Sequence, residues 1–216
     1  MLKLAKKKNR QSILFLVDGL DKLDNKASKE IFINKIDQIK QIKSNIVFTA
    51  QIDLLYDGNQ IQQHYETIVL PMIKIYDKKN NKFGLGWKTL LEILYKRADA
   101  SFFEEGVAEK IVEYSGGNPR HLLQLLKYTY TSSENKLTMD SFKFALRKFS
   151  IIFESFLTKD DYKLLRYQDE NPDDTAPSDE KRKLLHNLAL LQYNSYWWKS
   201  HPVVRTLNAY KNLIKK

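Results

Sequence analysis

Four polar residues of this chain stand where chemistry could be done. Asp18 and Asp21 follow an apolar run, Ile13 to Val17, and lie three residues apart. An acid at the end of a buried strand is held rigidly. A hard cation such as Mg²⁺ takes oxygen ligands of that kind and keeps most of its waters. A second acid three residues on reaches the same crevice and can orient or deprotonate an attacking water. Thr49 closes a second apolar run, Asn45 to Ala50, with Gln51 just beyond it. A hydroxyl there would face the same crevice and touch a phosphate or the water. Arg120 follows Ser115-Gly116-Gly117-Asn118-Pro119. The glycines end one helix, Pro119 suits the first turn of the next, and an arginine on that turn can grip a phosphate in fork geometry. Each segment also has a plain reading: an Asp-Gly turn with Asp21 capping the next helix, an ordinary strand terminus, and an exposed arginine at a helix start.

The elements that must position these residues change character along the chain. Ile13 to Val17 and Asn45 to Ala50 are short, continuous apolar runs, which read as strands covered on both faces in a parallel sheet. Between them Ile31, Phe32, Lys35, Ile36, Ile39 and Ile42 keep helical spacing. Ile68 to Tyr76 is a third extended segment, with Pro71 arguing for an edge or a bulge. Asp77 to Gly86 is a polar, glycine-bearing loop or hairpin turn. From Trp87 the pattern is helical, through Tyr114, then Leu122 to Tyr130, Met139 to Phe149 and Phe153 to Tyr167. Gln168 to Ser178 reads as an acidic loop, Lys181 to Leu191 as a compact helix, Leu191 to Lys199 as a hairpin around Asn194-Ser195, and Pro202 to Leu213 as a closing helix.

In this order the segments resemble the AAA+ and STAND classes of P-loop ATPases. Asp18-Gly19-Leu20-Asp21 looks like a Walker B motif in its NACHT-like form. Thr49 falls at the sensor-1 position, and Gly117-Asn118-Pro119-Arg120 looks like a sensor-2 motif. The resemblance implies an α/β partial P-loop ATPase core carrying a parallel-sheet remnant over residues 1–86. An all-α lid over 87–148 and a winged-helix domain over 149–216 would follow. It implies ATP and Mg²⁺ in the intact protein. Asp18, Asp21 and Thr49 would be catalytic, Asp18 also as the metal ligand, and Asn118, Pro119 and Arg120 would meet the nucleotide. In the winged helix, Lys181, Arg182 and Lys183 would open the recognition helix and could meet phosphates. Trp197 and Trp198 would lie in the wing. Neighbours in a regular strand face opposite sides, so one of the two is expected to be exposed as a contact for nucleic acid or a partner.

The departures shape the expectation. No Gly-x-x-x-x-Gly-Lys-Ser/Thr loop is present. Gly84-Leu85-Gly86-Trp87-Lys88-Thr89 is not a substitute, because Trp87 separates glycine from lysine and no apolar strand runs straight into it. The phosphate cradle is therefore expected from an upstream segment or a complementary chain, and the chain alone should bind ATP poorly. Gly19 stands where AAA+ proteins usually carry glutamate. No arginine lies between Arg10 and Arg97, which leaves the arginine-finger segment after sensor 1 empty.

Composition bounds the alternatives. With no cysteine among 216 residues, disulfides, thiolate metal sites and cysteine nucleophiles are excluded. No apolar run reaches the length of a membrane span, and a cytoplasmic protein without membrane partners is expected. The net charge of +10 comes mostly from the ends. Lys3, Lys6, Lys7, Lys8 and Arg10 are one cluster, and Lys211, Lys215 and Lys216 another, so the body is close to neutral. DNA or a protein effector are the partners this allows, and the alternative to the ATP-binding switch is a non-hydrolysing nucleic-acid-binding or protein-interaction remnant. His64, His121, His186 and His201 lack metal-ligand spacing and read as structural.

Overall fold

A computed structural model describes residues 13–56, 60–78 and 81–213. The basic cluster from Lys3 to Arg10, and Lys215 and Lys216, lie outside the described residues. The chain divides into two compact units, one ending at Val69 and one starting at Leu70. Among the described residues no helix is long and apolar enough to cross a membrane.

The first unit holds two strands, β1 (Leu14–Val17) and β2 (Asn45–Phe48), paired in parallel with Leu14 opposite Asn45 and Val17 opposite Phe48. A broken helix connects them: α1 (Asn25–Lys29), a π-helical turn at Glu30–Asn34, and α2 (Ile36–Lys40). Asp24 is its N-cap, accepting from the Ala27 N–H at 2.8 Å. The cap is therefore Asp24 and not Asp21. A 3-10 turn (Ile52–Tyr56) and α3 (Gln60–His64) complete the unit. Phe32, Leu54 and Ile61 form its core, with Leu20, Ile31, Ile33, Phe48 and Tyr65 packed around them. Phe48 and Tyr65 both meet the Phe32 ring edge-on, at 5.7 and 6.0 Å.

The expected burial of both sheet faces does not hold among the described residues. Phe15, Val17, Ile46 and Phe48 are half-buried, whereas Leu14, Leu16 and Val47 on the other face are more than half exposed, Leu16 reaching 73%. The described helical segments cover one face only. Parallel sheets are otherwise buried on both.

The second unit begins with an extended segment and continues as helices. Tyr76 and Lys82 form an antiparallel bridge. Then come α4 (Gly84–Tyr95), α5 (Val107–Tyr114), α6 (Pro119–Thr131) and α7 (Met139–Glu154). They are followed by α8 (Lys159–Glu170), α9 (Asp179–His186), the hairpin β3 (Leu190–Asn194) and β4 (Trp197–Ser200), and α10 (Asn208–Lys211). Thr138 and Thr158 open α7 and α8 with capping boxes. α7 runs unbroken through the boundary expected between 148 and 149. The boundary expected between 86 and 87 also differs. Residues 70–86 belong with the helices because main-chain hydrogen bonds tie them there: Met72 N–H to the Gln192 carbonyl at 2.9 Å and Ile73 N–H to the Gly117 carbonyl at 3.0 Å.

That approach explains Gly117. Its φ is +81°, and a Cβ there would overlap the carbonyl of Ile73. Nothing flexible can yield, since the obstacle is backbone. Gly86, at the start of α4, meets the Lys74 carbonyl in the same way. Gly86 is thus part of a helix start pressed on the backbone of Lys74. Strain at positive φ and overpacking each cost about 1–3 kcal/mol. We therefore expect Gly117→Ala to lower unfolding stability by about 3 kcal/mol, read from urea denaturation. A change under about 0.5 kcal/mol would refute the close packing.

Candidate functional site

The parallel pairing sets the geometry of the first unit's polar cluster. Both strands end on the same side, and the ladder continues one step past them, with the Thr49 N–H donating to the Val17 carbonyl at 3.0 Å. Asp18 and Thr49 therefore leave the sheet side by side. Asp18 is exposed and accepts from the Gly19 N–H at 2.8 Å. Gly19 has φ +88°, a left-handed turn that glycine adopts without strain. The chain then coils into a 3-10 turn at Leu20–Lys22. This brings Asp21 back, half-buried, where the Thr49 hydroxyl donates to its Oδ1 at 3.5 Å. Gln51, beyond Thr49, donates to the Leu23 carbonyl and pins the loop after Asp21 to the end of β2.

Two carboxylates and a hydroxyl at the end of a parallel pair can offer hard oxygen ligands to a hydrated divalent cation. Among the described residues no group of three or more His, Asp or Glu could hold a metal by itself. The fit to Mg²⁺ is thus that of one or two carboxylates whose remaining ligands are waters and a phosphate. The fit to ATP is incomplete. No run of described backbone N–H groups forms a phosphate cradle next to Asp18.

In the second unit, Asn118 caps α6, its Oδ1 accepting from the N–H groups of Arg120 at 2.9 Å and His121 at 3.3 Å. Pro119 occupies the first helical turn, and Arg120 beside it is exposed. The three residues stand as the spacing predicts, on a glycine-ended turn and a capped helix start.

Lys181, Arg182 and Lys183 are all committed within the unit. Lys181 is 5% exposed. Its ammonium donates to the Asp174 carbonyl at 2.9 Å, pairs with the Asp174 carboxylate at 3.3 Å and sits 5.8 Å from the Trp198 ring centre. Lys183 pairs with Asp161 at 2.9 Å, and Arg182 pairs with Asp179. Asp174, Asp179 and Asp161 thus neutralise these three cations, and a nucleic-acid phosphate would have to compete for each of them. The expected exposed tryptophan is also absent: Trp197 is 3% exposed and Trp198 fully buried. A register irregularity between Gln192 and Asn194 breaks the regular strand, and both faces of β4 are covered. On one side Trp197 stacks on Tyr193 at 4.6 Å and packs with Met72. The main-chain N–H of Trp198 donates to the Pro172 carbonyl at 3.0 Å.

Sequence reasoning missed a buried pair. His121 on α6 and His201 after β4 lie 80 residues apart and meet Nδ1 to Nε2 at 3.0 Å, ringed by Phe149 and Phe153. The Val203 N–H donates to Nδ1 of His201 at 3.2 Å. Nδ1 is then an acceptor, so Nε2 of His201 carries the proton and donates to Nδ1 of His121. Neither ring can gain a proton without setting two donors face to face. Burial, then the Arg120 charge, pushes the His121 imidazole down to about 4. Burial, then His121 and Arg205, holds His201 well below its ordinary value.

Among solved structures, two mutant forms of RuvB from Thermotoga maritima are similar to this chain. One is 18% identical with a TM-score of 0.40 and the other 17% identical with a TM-score of 0.41. Each comparison covers 93% of this chain and 69% of the RuvB chain. No family model and no curated protein matches the sequence.

The histidine pair makes stability depend on pH in a defined window. An imidazole whose folded value is depressed stabilises the fold above its unfolded value of 6.5 and loses that contribution as pH falls toward 4. At about 1.4 kcal/mol per tenfold change, His121 alone contributes about 3 kcal/mol. We expect the stability gap between the native chain and His121→Leu to shrink by about that amount from neutral pH to pH 4, measured by denaturant titration. A gap independent of pH would contradict the buried neutral pair. We expect Lys181→Glu to destabilise the fold by about 3 kcal/mol, read from the same titrations. Wild-type stability in that variant would contradict the assignment of Lys181 as a structural cation.

Proposed function

We propose that this chain is part of an AAA+- or STAND-like ATP-binding switch in which it supplies the acidic half of the nucleotide site. The observation that carries the reading is the parallel pairing of β1 and β2, with Asp18, Asp21 and Thr49 at one end of the sheet and Thr49 3.5 Å from Asp21. On this reading the first unit is a partial core, and residues 70–154, ending with α7, form a lid. A winged-helix module built on α8, α9 and the β3–β4 hairpin follows. The half-exposed apolar face of Leu14, Leu16 and Val47 supports a sheet that another segment completes, either from upstream or from a complementary chain carrying the phosphate loop.

Bound ATP and Mg²⁺ would supply a phosphoryl centre for attack by water. Asp18, exposed at the strand end, would hold the hydrated cation. Asp21 would orient the water or take its proton, and Thr49, already hydrogen-bonded to Asp21, would keep that carboxylate aimed. Arg120, on a turn fixed by the Asn118 cap, would offer its fork to a phosphate and so tie the helices to the nucleotide state. The engagement of Lys181, Arg182 and Lys183 with nearby acids favours an intramolecular role for the winged helix over DNA binding.

The test is ATP turnover in the chain combined with a segment or partner that carries a Gly-Lys-Ser/Thr loop. Asp18→Ala and Arg120→Ala are each expected to lower it by about 10²-fold or more. Unchanged turnover in both would remove these residues from the site. The chain without that partner is expected to bind ATP weakly, and sub-micromolar binding by it alone would contradict the divided site.

A further inference from the structure

We propose that a cavity in the second unit, lined by Arg205, is a binding site for a small phosphate monoester. The cavity measures about 510 Å³ and is walled by Tyr76, Glu113, Tyr114, Pro202, Arg205 and Lys211. That volume suits a small organic ligand. The walls come from Tyr76, the end of α5, the 3-10 turn at Val204–Thr206 and α10.

Arg205 is the reason to look for an anion there. Arg205 lines the cavity, and its guanidinium is in none of the ion pairs found among the described residues. Other arginines of the unit are matched with acids: Arg147 with Glu154, Arg166 with Glu170, Arg182 with Asp179. In the neighbouring cavity, lined by Lys143, Arg147 and Glu154, the guanidinium is already neutralised. Glu113, the one acid in the Arg205 cavity wall, is held by Lys110 at 2.8 Å. Asp169, the acid that acts on Lys199 beside Arg205, is held by the Ser200 N–H and the Tyr210 hydroxyl. Burial, then Arg205, pushes the Lys199 ammonium down, and Arg205 also opposes protonation of His201.

The ligand class follows from count and shape. Arg205 and Lys211 bring two positive charges to one cavity. A phosphate monoester carries close to two negative charges at neutral pH, and its oxygens match the guanidinium fork. A carboxylate carries one. Tyr76 and Tyr114 give the walls aromatic surface for a flat organic body. This inference stands apart from the Asp18 site and survives its failure.

The test is calorimetric titration of the full chain with phenyl phosphate, benzoate and inorganic phosphate at low salt. Phenyl phosphate is expected to saturate a single site and to bind at least about tenfold tighter than benzoate or inorganic phosphate. Arg205→Met is expected to weaken it by about tenfold or more, with Arg205→Lys in between. Should Arg205→Met fail to fold, Lys211→Met on the exposed α10 serves instead, with a several-fold loss expected. No saturable binding up to about 10 mM overturns the proposal. So does benzoate matching phenyl phosphate, and so does unchanged affinity in the folded variants.

Discussion

The parallel ladder between β1 and β2 is the constraint on which the candidate site depends. In a parallel pair both strands deliver their carboxyl ends to one side of the sheet, so residues 31 positions apart in sequence leave it together. Asp18 and Thr49 are adjacent for that reason alone. Asp21 joins them because Gly19, at positive φ, turns the chain back. An antiparallel pairing of the same two runs would send Thr49 to the opposite end and dissolve the cluster. The same ladder leaves Leu14, Leu16 and Val47 on an uncovered face. The feature that assembles the acids also marks the sheet as incomplete among the described residues.

The second unit is organised around the Ser115–Asn118 turn. Ile73 lies against Gly117, the Tyr193 hydroxyl donates to the Gly116 carbonyl at 2.9 Å, and His121 just beyond the turn meets His201. Extended segment, helices and hairpin therefore share one junction, and only glycine fits where they meet. On the proposed reading this junction has a consequence. Arg120 sits one helical turn from contacts that reach the hairpin, so a shift of its guanidinium toward a phosphate would be felt there through packed groups and not through a flexible linker.

Much of the framework was legible in the sequence. The two apolar runs became β1 and β2, the Asn194-Ser195 turn closed a hairpin, and the Asn118-Pro119 pair opened a helix. These signals are local: run length, turn chemistry and capping act within a few residues. What failed depends on distant contacts. Ile68 to Tyr76 reads as extended, yet the partners of Met72 and Ile73, Gln192 and Gly117, lie far along the chain. Trp197 and Trp198 are both buried where the ladder opposite them is irregular, which alternation does not predict. Lys181 reads as a surface cation, whereas its stem is buried over Trp198 and its charge is answered by Asp174. The histidines, judged singly, carry no hint of a pair. Within the candidate site, residue types and strand ends were readable, but the return of Asp21 to Thr49 required the 3-10 turn.

The ladder can be tested directly because the chain has no cysteine to compete. Introduced cysteine pairs on the exposed face distinguish the two possible pairings. In the parallel register, Leu14 faces Asn45 and Leu16 faces Val47. Directly opposed Cα atoms lie about 4.8 Å apart, within disulfide reach, whereas the diagonal pairs lie about 8 Å apart and cannot close. Mild oxidation should cross-link Leu14→Cys with Asn45→Cys, and Leu16→Cys with Val47→Cys, while the exchanged combinations stay reduced. Cross-linking of Leu14→Cys with Val47→Cys and of Leu16→Cys with Asn45→Cys would mean antiparallel strands and would contradict the shared crevice of Asp18, Asp21 and Thr49.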